Sequence, residues 1–540
     1  MITDSSSQTS ETGAADAPDD LALFEIPSAF AGGYESNPNL LDMLESGLAA
    51  QLECSILPRY LGKRRWFAAK DQSLACVRIA CLTGLPGTDS EIVLSEVEIE
   101  GDGKLSRWLL PLSVVWEKRC QDLTKTLALA RIRGRRREGL LTDGYSLAEF
   151  AHRMLECLAT GAQISATQGM VVFEPGVQAH DRLEVLARSP VTWLSAEQSN
   201  SSLIIGDAVM LKIFRRISAG QHPEVEMSRY LTEKGFEHTP LMLGEVARID
   251  DKGERYSLAV AQAFVANQGD AWTWTVDRFS RYLEKDATCE EFDEYTRFAV
   301  AVGRRLAEMH VVLSAPTDNE AFSPRCATAD DVESWMAATR ASLDAAFKVL
   351  DRAADGKAGA DAHALLSKRE AIFDTLERLA ASGEGSAVSR IHGDFHLGQV
   401  LAADGDAYII DFEGEPSADL PERRRKSSPL NDVAGLLRSF DYALAAAVRR
   451  EKERTHPASM RCKVLAPIVD RAKAVFLEAY RTSIASLSGL DDADLLDLFL
   501  IRKAAYEIAY EAANRPEWLP LPVNGLVQIV QRVCGTGAAR

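Results

Sequence analysis

The stretch Arg390-Ile391-His392-Gly393-Asp394-Phe395-His396-Leu397-Gly398-Gln399-Val400-Leu401 is the densest run of chemistry in the chain. Ala407-Tyr408-Ile409-Ile410-Asp411-Phe412-Glu413-Gly414-Glu415-Pro416 follows it closely. Asp394 is a carboxylate suited to orient a hydroxyl and take its proton. Gln399 offers a neutral amide oxygen and Asp411 a charged one, both hard ligands for a hard cation such as Mg²⁺. Phosphoryl transfer asks for this combination, because it needs positioning and charge neutralisation more than covalent help from the protein. Gly393 and Gly398 relax backbone constraints in a tight loop.

The order and gaps sharpen this reading. His-x-Asp with an amide side chain five positions after the Asp matches the kinase catalytic loop His-Arg-Asp-x-x-x-x-Asn, with Gln in place of Asn. An Asp-Phe pair then ends a short β-branched strand, where kinases carry Asp-Phe-Gly. Such an enzyme also needs a strand lysine for the nucleotide phosphates and an acidic partner to position it. Val209-Met210-Leu211-Lys212 supplies Lys212, and Glu226 is the chosen partner, slightly ahead of Glu224, on a helix opening after Pro223. No Gly-x-Gly-x-x-Gly precedes this strand and no Walker A motif occurs. The loop ahead of Leu203 instead contains Ser199, Asn200, Ser201 and Ser202, whose N–H groups and hydroxyls could cradle phosphates. Asp432 either accepts backbone hydrogen bonds from the catalytic loop or stabilises its own helix N-terminus. His310, on an apolar helical face, reads as a satisfied core histidine. His392 and His396 lack a third metal-type neighbour, so zinc is not expected.

These residues must be positioned by a β-rich first half and a helical second half. Short apolar runs between Arg65 and Leu129, split by Gly turns, predict strands. A helix is expected over 147–160, and a second β region ends near Val265. Within it, Leu203-Ile204-Ile205 and Val209–Phe214 flank Gly206-Asp207, a composition for a tight two-residue hairpin turn. Phe298, Val302, Leu306, Met309 and Leu313 mark one helix; Val433, Leu436, Leu437, Phe440 and Leu444 mark another. The expected architecture is α+β, or two lobes meeting at a cleft.

The chain of 540 residues is 46% hydrophobic and 26% charged, ordinary for a globular enzyme. With 61 basic and 79 acidic residues its formal net charge is −18, which disfavours nucleic acid and anionic membrane surfaces as partners. Arg423-Arg424-Arg425-Lys426 is a basic island, read as a solvated face. Nine scattered cysteines without a Cys-x-x-Cys pair suggest reduced thiols. The N-terminus lacks an apolar signal core and no run approaches membrane-spanning length, so a cytoplasmic protein is expected.

The motifs HGDFHLGQVL, YIIDFEGEP and ERRRKSSPLNDVAGLLRSFDYA resemble those of the bacterial maltokinases, which belong with the aminoglycoside-phosphotransferase-like kinases. The resemblance extends to RRWFAAKD at 64–71, EQSNSS at 197–202, AQAFVANQGDAWTWT at 261–275 and YEIAYEAANRPEWLPLP at 506–522, covering nearly everything from about residue 45 onward. It implies, more finely, a bilobal protein-kinase-like fold with a β-rich N-terminal cap subdomain and a mostly helical C-lobe. The divisions it implies are a leader over 1–45, the cap over 46–150, a nucleotide-binding N-lobe over 151–268 and a C-lobe with catalytic loop and sugar site over 269–540. The same resemblance implies ATP and Mg²⁺ as cofactors and maltose as acceptor, giving maltose 1-phosphate for α-glucan synthesis. It also implies a link to trehalose synthase or a maltosyltransferase as partner enzymes. Asp394 would then activate the anomeric hydroxyl. Tyr506, Tyr510, Glu511, Arg515 and Trp518 combine aromatic faces and charge as sugar-site candidates, with His396 and Glu413 as further contacts. Phe395 stands where the family is expected to have Tyr, and Asn431 where it is expected to have a basic residue. Two alternatives stand beside this: a glucosamine or aminoglycoside kinase with the same Asp-x-x-x-x-Gln and Asp-Phe-Glu elements, and a non-catalytic kinase-like scaffold. Retention of Lys212, Asp394, Gln399 and Asp411 argues against the scaffold. The lack of a Gly-rich loop and of Ala-Pro-Glu argues against a protein kinase.

Overall fold

The computed structural model describes residues 21–25, 40–45, 49–67, 76–88, 91–101, 104–116, 122–133, 138–177, 179, 183, 185–186, 188–194, 200–284, 289–353, 359–415, 418–454, 462–485, 487, 490 and 492–535. They fall into two compact units: residues 1–225 with 241–264, and residues 226–240 with 265–540. The helix Pro223–Glu233 contributes its first residues to one unit and the remainder to the other.

The first unit is built from two seven-stranded sheets. Strands β1 (Leu23–Glu25), β2 (Cys76–Gly84), β3 (Val93–Gly101), β4 (Lys104–Trp116), β5 (Ala128–Arg133) and β6 (Glu138–Asp143) run in the order β1-β5-β6-β4-β3-β2. The second sheet takes β7 (Gln163–Ser165), β8 (Met170–Pro175), β9 (Val191–Trp193), β10 (Asn200–Ile205) and β11 (Val209–Phe214). Strand β12 (Arg216–Ile217) crosses back to pair with β4, while β13 (Met242–Ile249) and β14 (Arg255–Ala263) complete the second sheet in the order β7-β8-β13-β14-β11-β10-β9. The helix Ala148–Thr160 buries Phe150, Met154, Leu155 and Leu158 against this second sheet, a stripe spaced for one helical face. Trp66, Phe67 and Trp108 anchor a separate core under the first sheet.

The β10–β11 hairpin turns where the sequence predicts, but Ile205 pairs with Val209, so the connection holds three residues, Gly206, Asp207 and Ala208, instead of two. Gly206 and Asp207 both adopt positive φ, and the Ala208 N–H donates to the Ile205 carbonyl at 3.2 Å. The expected strand end near Val265 falls at Ala263.

The second unit is helical. Long helices Cys289–Leu313, Ala329–Ala353, Leu430–Arg454, Cys462–Ile484 and Ala493–Asn514 share one apolar core. Among them sits a two-stranded hairpin, Val400–Ala403 with Asp406–Ile409. No described helix is long and apolar enough to cross a membrane.

Candidate active site

The catalytic-loop sequence is held from beneath by one buried carboxylate. Asp432, in the first turn of the 430–454 helix, accepts from the His392 N–H at 2.8 Å and the Gly393 N–H at 2.9 Å. Of the two roles open to it, the side chain takes the loop-supporting one. His310 joins Asp432 (3.1 Å) to the Tyr480 hydroxyl (2.9 Å), so this fully buried histidine is satisfied, as expected of a core residue. Burial disfavours the Asp432 charge, but His310 and the loop N–H groups outweigh it and hold the carboxyl below its usual range. The His392 ring bonds the Ile410 carbonyl at 2.9 Å and packs between Phe395 and Phe412, tying the loop to the strand that precedes Asp411.

The hairpin then brings the backbone of Gln399 beside the residue preceding Asp411. Val400 pairs with Ile409, and one step further out the Ile410 N–H donates to the Gln399 carbonyl at 3.0 Å. Asp411 follows with φ of +68°, a left-handed conformation that costs free energy in a non-glycine residue and concentrates at functional positions. Gly393, at φ +85°, makes the sharp entry into the loop. Gly398 has a different reason: a Cβ there would lie 2.7 Å from the His396 ring. His396 caps the short 3₁₀ turn Leu397–Gln399, its Nδ1 accepting from the Gly398 N–H at 3.0 Å. Burial, His392 and Lys503 push the His396 pKa down to about 4, so the ring is neutral and its proton sits on Nε2, 3.9 Å from Asp394 Oδ2.

Asp394 is itself perturbed. Burial raises its carboxyl to about 7, Lys503 opposes the rise, and Glu415, Asp411 and Asp432 add to it. A carboxylate poised near neutrality is what a general base requires. Lys503, on the 493–514 helix, was missed by sequence reasoning, since a helical lysine four residues before a glutamate carries no motif. It lies 5.5 Å from the Tyr506 ring centre and acts on Asp394, His396 and Glu507 together. The Tyr506 hydroxyl approaches Glu415 at 3.4 Å. Asp394, Lys503, Glu415 and Tyr506 are therefore linked by charge and contact into one group.

The sugar-site candidates divide. Tyr506 and Tyr510 stack with ring centres 6.2 Å apart and are 38% and 44% exposed, so they are not core aromatics. Glu511 is buried and held by Arg515 at 2.7 and 3.0 Å, and Glu507 is held by Arg438. Arg515 bridges the Tyr510 and Trp518 rings, and Trp518 stacks on Tyr442. Glu413 lies half-buried on the loop after Asp411.

In the first unit Lys212 is buried, and its Nζ is 4.0 Å from Glu224, whose other oxygen accepts from Gln262 at 3.1 Å. The partner of Lys212 is thus Glu224 and not Glu226. Two residues apart on a helix, they point to different sides. Glu226 instead takes Arg390 at 2.5 Å and Arg424 at 2.7 and 3.0 Å in the second unit. The polar stretch ahead of Leu203 is also not all loop. Asn200, Ser201 and Ser202 belong to β10, while Ser199 lies outside the described residues. Ser201 is opposite Ile213 and its hydroxyl accepts from Arg215 at 2.7 Å, which turns it into the core and away from any phosphate. Ser202 is directly opposite Lys212 and shares its face.

For a divalent cation, Gln399 and Asp411 fit by donor chemistry. Mg²⁺ commonly takes only one or two protein oxygens and completes its shell with phosphate and water. Among the described residues no cluster of three or more His, Cys, Asp or Glu is placed for a metal.

With this geometry described, the comparisons are specific. The model of the phosphotransferase enzyme family (APH) matches residues 191–461, half of the chain, and the chain belongs to that family. Glucosamine kinase of Streptacidiphilus jiangxiensis is 29% identical over 353 residues, 63% of this chain and 74% of its own length. Glucosamine kinase of Mycolicibacterium smegmatis is 29% identical over 374 residues, 67% and 86% respectively. A solved glucosamine kinase in complex with glucosamine, ADP and inorganic phosphate has a TM-score of 0.58 at 23% identity, covering 84% of this chain and 93% of that one. A second crystal form gives 0.61 at 22% identity, covering 86% and 96%. The α+β kinase-like fold, β-rich first half and helical second half, is shared with them.

Proposed function

We propose that the protein is an ATP-dependent sugar kinase with glucosamine as its acceptor. The observation that carries the kinase reading is Asp394 on its loop, followed in order by Gln399 and Asp411 and linked by charge and contact to Lys503, Glu415 and Tyr506. The acceptor follows the activity named for both curated relatives, each aligned over more than three-fifths of this chain. The Asp394 carboxylate orients the sugar hydroxyl and accepts its proton as the oxygen bonds to the γ-phosphorus and ADP departs. Lys212, positioned by Glu224, neutralises charge on the nucleotide phosphates. His396 Nε2 faces Asp394 Oδ2 at 3.9 Å, beyond direct hydrogen-bond distance. Mg²⁺, held by Gln399 and Asp411, would supply neutralisation of the polyphosphate charge.

Maltose is the second reading, and a specific observation favours it. The stacked, exposed Tyr506 and Tyr510 offer a platform for a disaccharide. The neighbouring Glu507 and Glu511 are already neutralised by arginines, and Lys503 adds positive charge where a cationic amino sugar would seek a carboxylate. With maltose the product would be the 1-phosphate, which trehalose synthase or a maltosyltransferase could share as a pathway. Nucleotide turnover with Mg²⁺ across glucosamine, maltose, glucose, trehalose and an aminoglycoside separates the readings. Glucosamine-dependent turnover, lost in Asp394→Asn, is expected. Turnover with maltose alone, yielding an acid-labile phosphate, replaces the acceptor. Nucleotide binding without turnover on any acceptor overturns the kinase reading.

A further inference from the structure

The basic island after the Asp-Phe-Glu segment is only partly a solvated face: Arg425 is largely exposed, while Arg424 and Lys426 are half-buried. Arg424, Arg425 and Lys426 line a cavity of about 410 Å³ together with Arg325 and Arg390, and among the described residues no carboxylate lines it. Volumes of this order hold small ligands. In a chain of net charge −18 such a concentration of cations runs against the average.

The counter-charges leave a surplus. Arg390 and Arg424 share a single carboxylate, Glu226. Arg325 pairs with Asp331, and Arg425 with Glu422 at 2.6 Å. Among the described residues Lys426 donates to carbonyl oxygens, those of Glu320 and Ser323, both at 2.7 Å. The Glu320 carboxylate acts on it from beyond ion-pair distance. Five cations against three paired carboxylates leave about two positive charges, the charge a phosphate monoester carries with opposite sign near neutrality.

A second observation is independent of the charge count. The Arg390 side chain is 2% exposed, and its Nε finds no hydrogen-bond partner among the described residues. A buried guanidinium N–H left unmatched is costly, and a phosphate oxygen is its natural partner. Burial also pushes Arg390 and Lys426 below their usual ranges, with Glu226 and Glu320 opposing and the neighbouring arginines adding to the fall. An anion in the cavity would relieve both. The cavity is tied to catalysis by sequence: Arg390 precedes His392 by two residues, and His392 and Gly393 are the residues that Asp432 fixes.

We infer that this cavity, lined by Arg325, Arg390, Arg424, Arg425 and Lys426, is a binding site for a small phosphate monoester or free phosphate that loads the entry to the catalytic loop. This goes beyond the acceptor question and does not depend on its answer.

The test measures phosphate binding by calorimetry at constant ionic strength, with the active site filled by a non-hydrolysable ATP analogue so that the γ-phosphate position is taken. Inorganic phosphate and glucose 6-phosphate are the two probes. The expected result is one binding event for at least one probe, weakened tenfold or more in both Lys426→Ala and Arg425→Glu, with the affinity for the analogue unchanged. Arg425 is largely exposed, so its variant keeps the fold even if Lys426→Ala does not. Preference for glucose 6-phosphate identifies an esterified ligand; equal binding identifies free phosphate. Absence of binding up to about 10 mM for both probes overturns the proposal, as does binding that Arg425→Glu leaves intact. Because acceptor turnover is not read, failure here is separate from failure of the kinase assignment.

Discussion

Asp394, the proposed base, stands out in the sequence by residue type and spacing, whereas what tunes it does not. Its carboxyl is raised to about 7 by burial and acidic neighbours, and Lys503 restrains the rise. Three consequences follow at this scale. Asp394→Asn should lower kcat by at least a thousandfold with little change in nucleotide affinity, measured by single-turnover assay and analogue titration. The same variant should be more stable in metal-free buffer at neutral pH. A carboxyl whose folded pKa exceeds its unfolded value of about 4 costs stability as pH rises between the two, because the folded state then holds the extra proton. The gain in Tm should therefore be largest above about pH 7 and vanish near pH 4; a gain independent of pH would refute the assignment. Lys503→Met removes the opposing cation, so the acid limb of kcat/KM should move to higher pH and Lys503→Arg should restore it. A parallel drop at all pH values would mean that Lys503 only packs against Tyr506. No motif could have announced Lys503, since its meaning comes from the helix that brings it to the loop.

At the scale of elements, the 400–409 hairpin and the 430–454 helix explain why the loop motifs work in order. One register step past Val400 and Ile409 places Gln399 beside the strand that delivers Asp411, and Asp432 pins the loop start. Their spacing in sequence reflects this geometry, which is why the gaps were informative. The Glu224 and Glu226 assignments show the opposite case. The acidic pair was visible after Pro223, but which carboxylate meets Lys212 depends on helix rotation, and nothing local sets it. The two should separate in experiment. Glu224→Gln should raise the KM for nucleotide several-fold with a modest change in stability, because it loosens Lys212. Glu226→Gln should leave that KM nearly unchanged but cost about 3 kcal/mol of stability, since it strands the buried Arg390. Equal effects on KM would return Glu226 to the nucleotide site.

The whole molecule was readable as a β-rich half followed by a helical half, because periodicity and turn composition report strands and helices directly. Its division into packed units follows a different rule: residues 226–240, which precede the last strands of the β-rich unit in sequence, pack with the helical unit through Met227, Tyr230, Leu231 and Phe236. Apolar periodicity marks that a helix buries a face and not which core receives it. Charge is the property that belongs to the chain as a whole. With 79 acidic against 61 basic residues, uniform repulsion opposes the compact state, and added salt screens it over about 10 Å at 0.1 M. Raising sodium chloride from about 10 to 150 mM should therefore increase Tm, and double-stranded DNA should cause no mobility shift at the higher salt. Repulsion summed over the surface should make the increase similar in Arg425→Glu and in the parent chain, because one exposed position changes the total by little. An increase confined to one of the two would place the repulsion at the basic cavity instead of across the molecule.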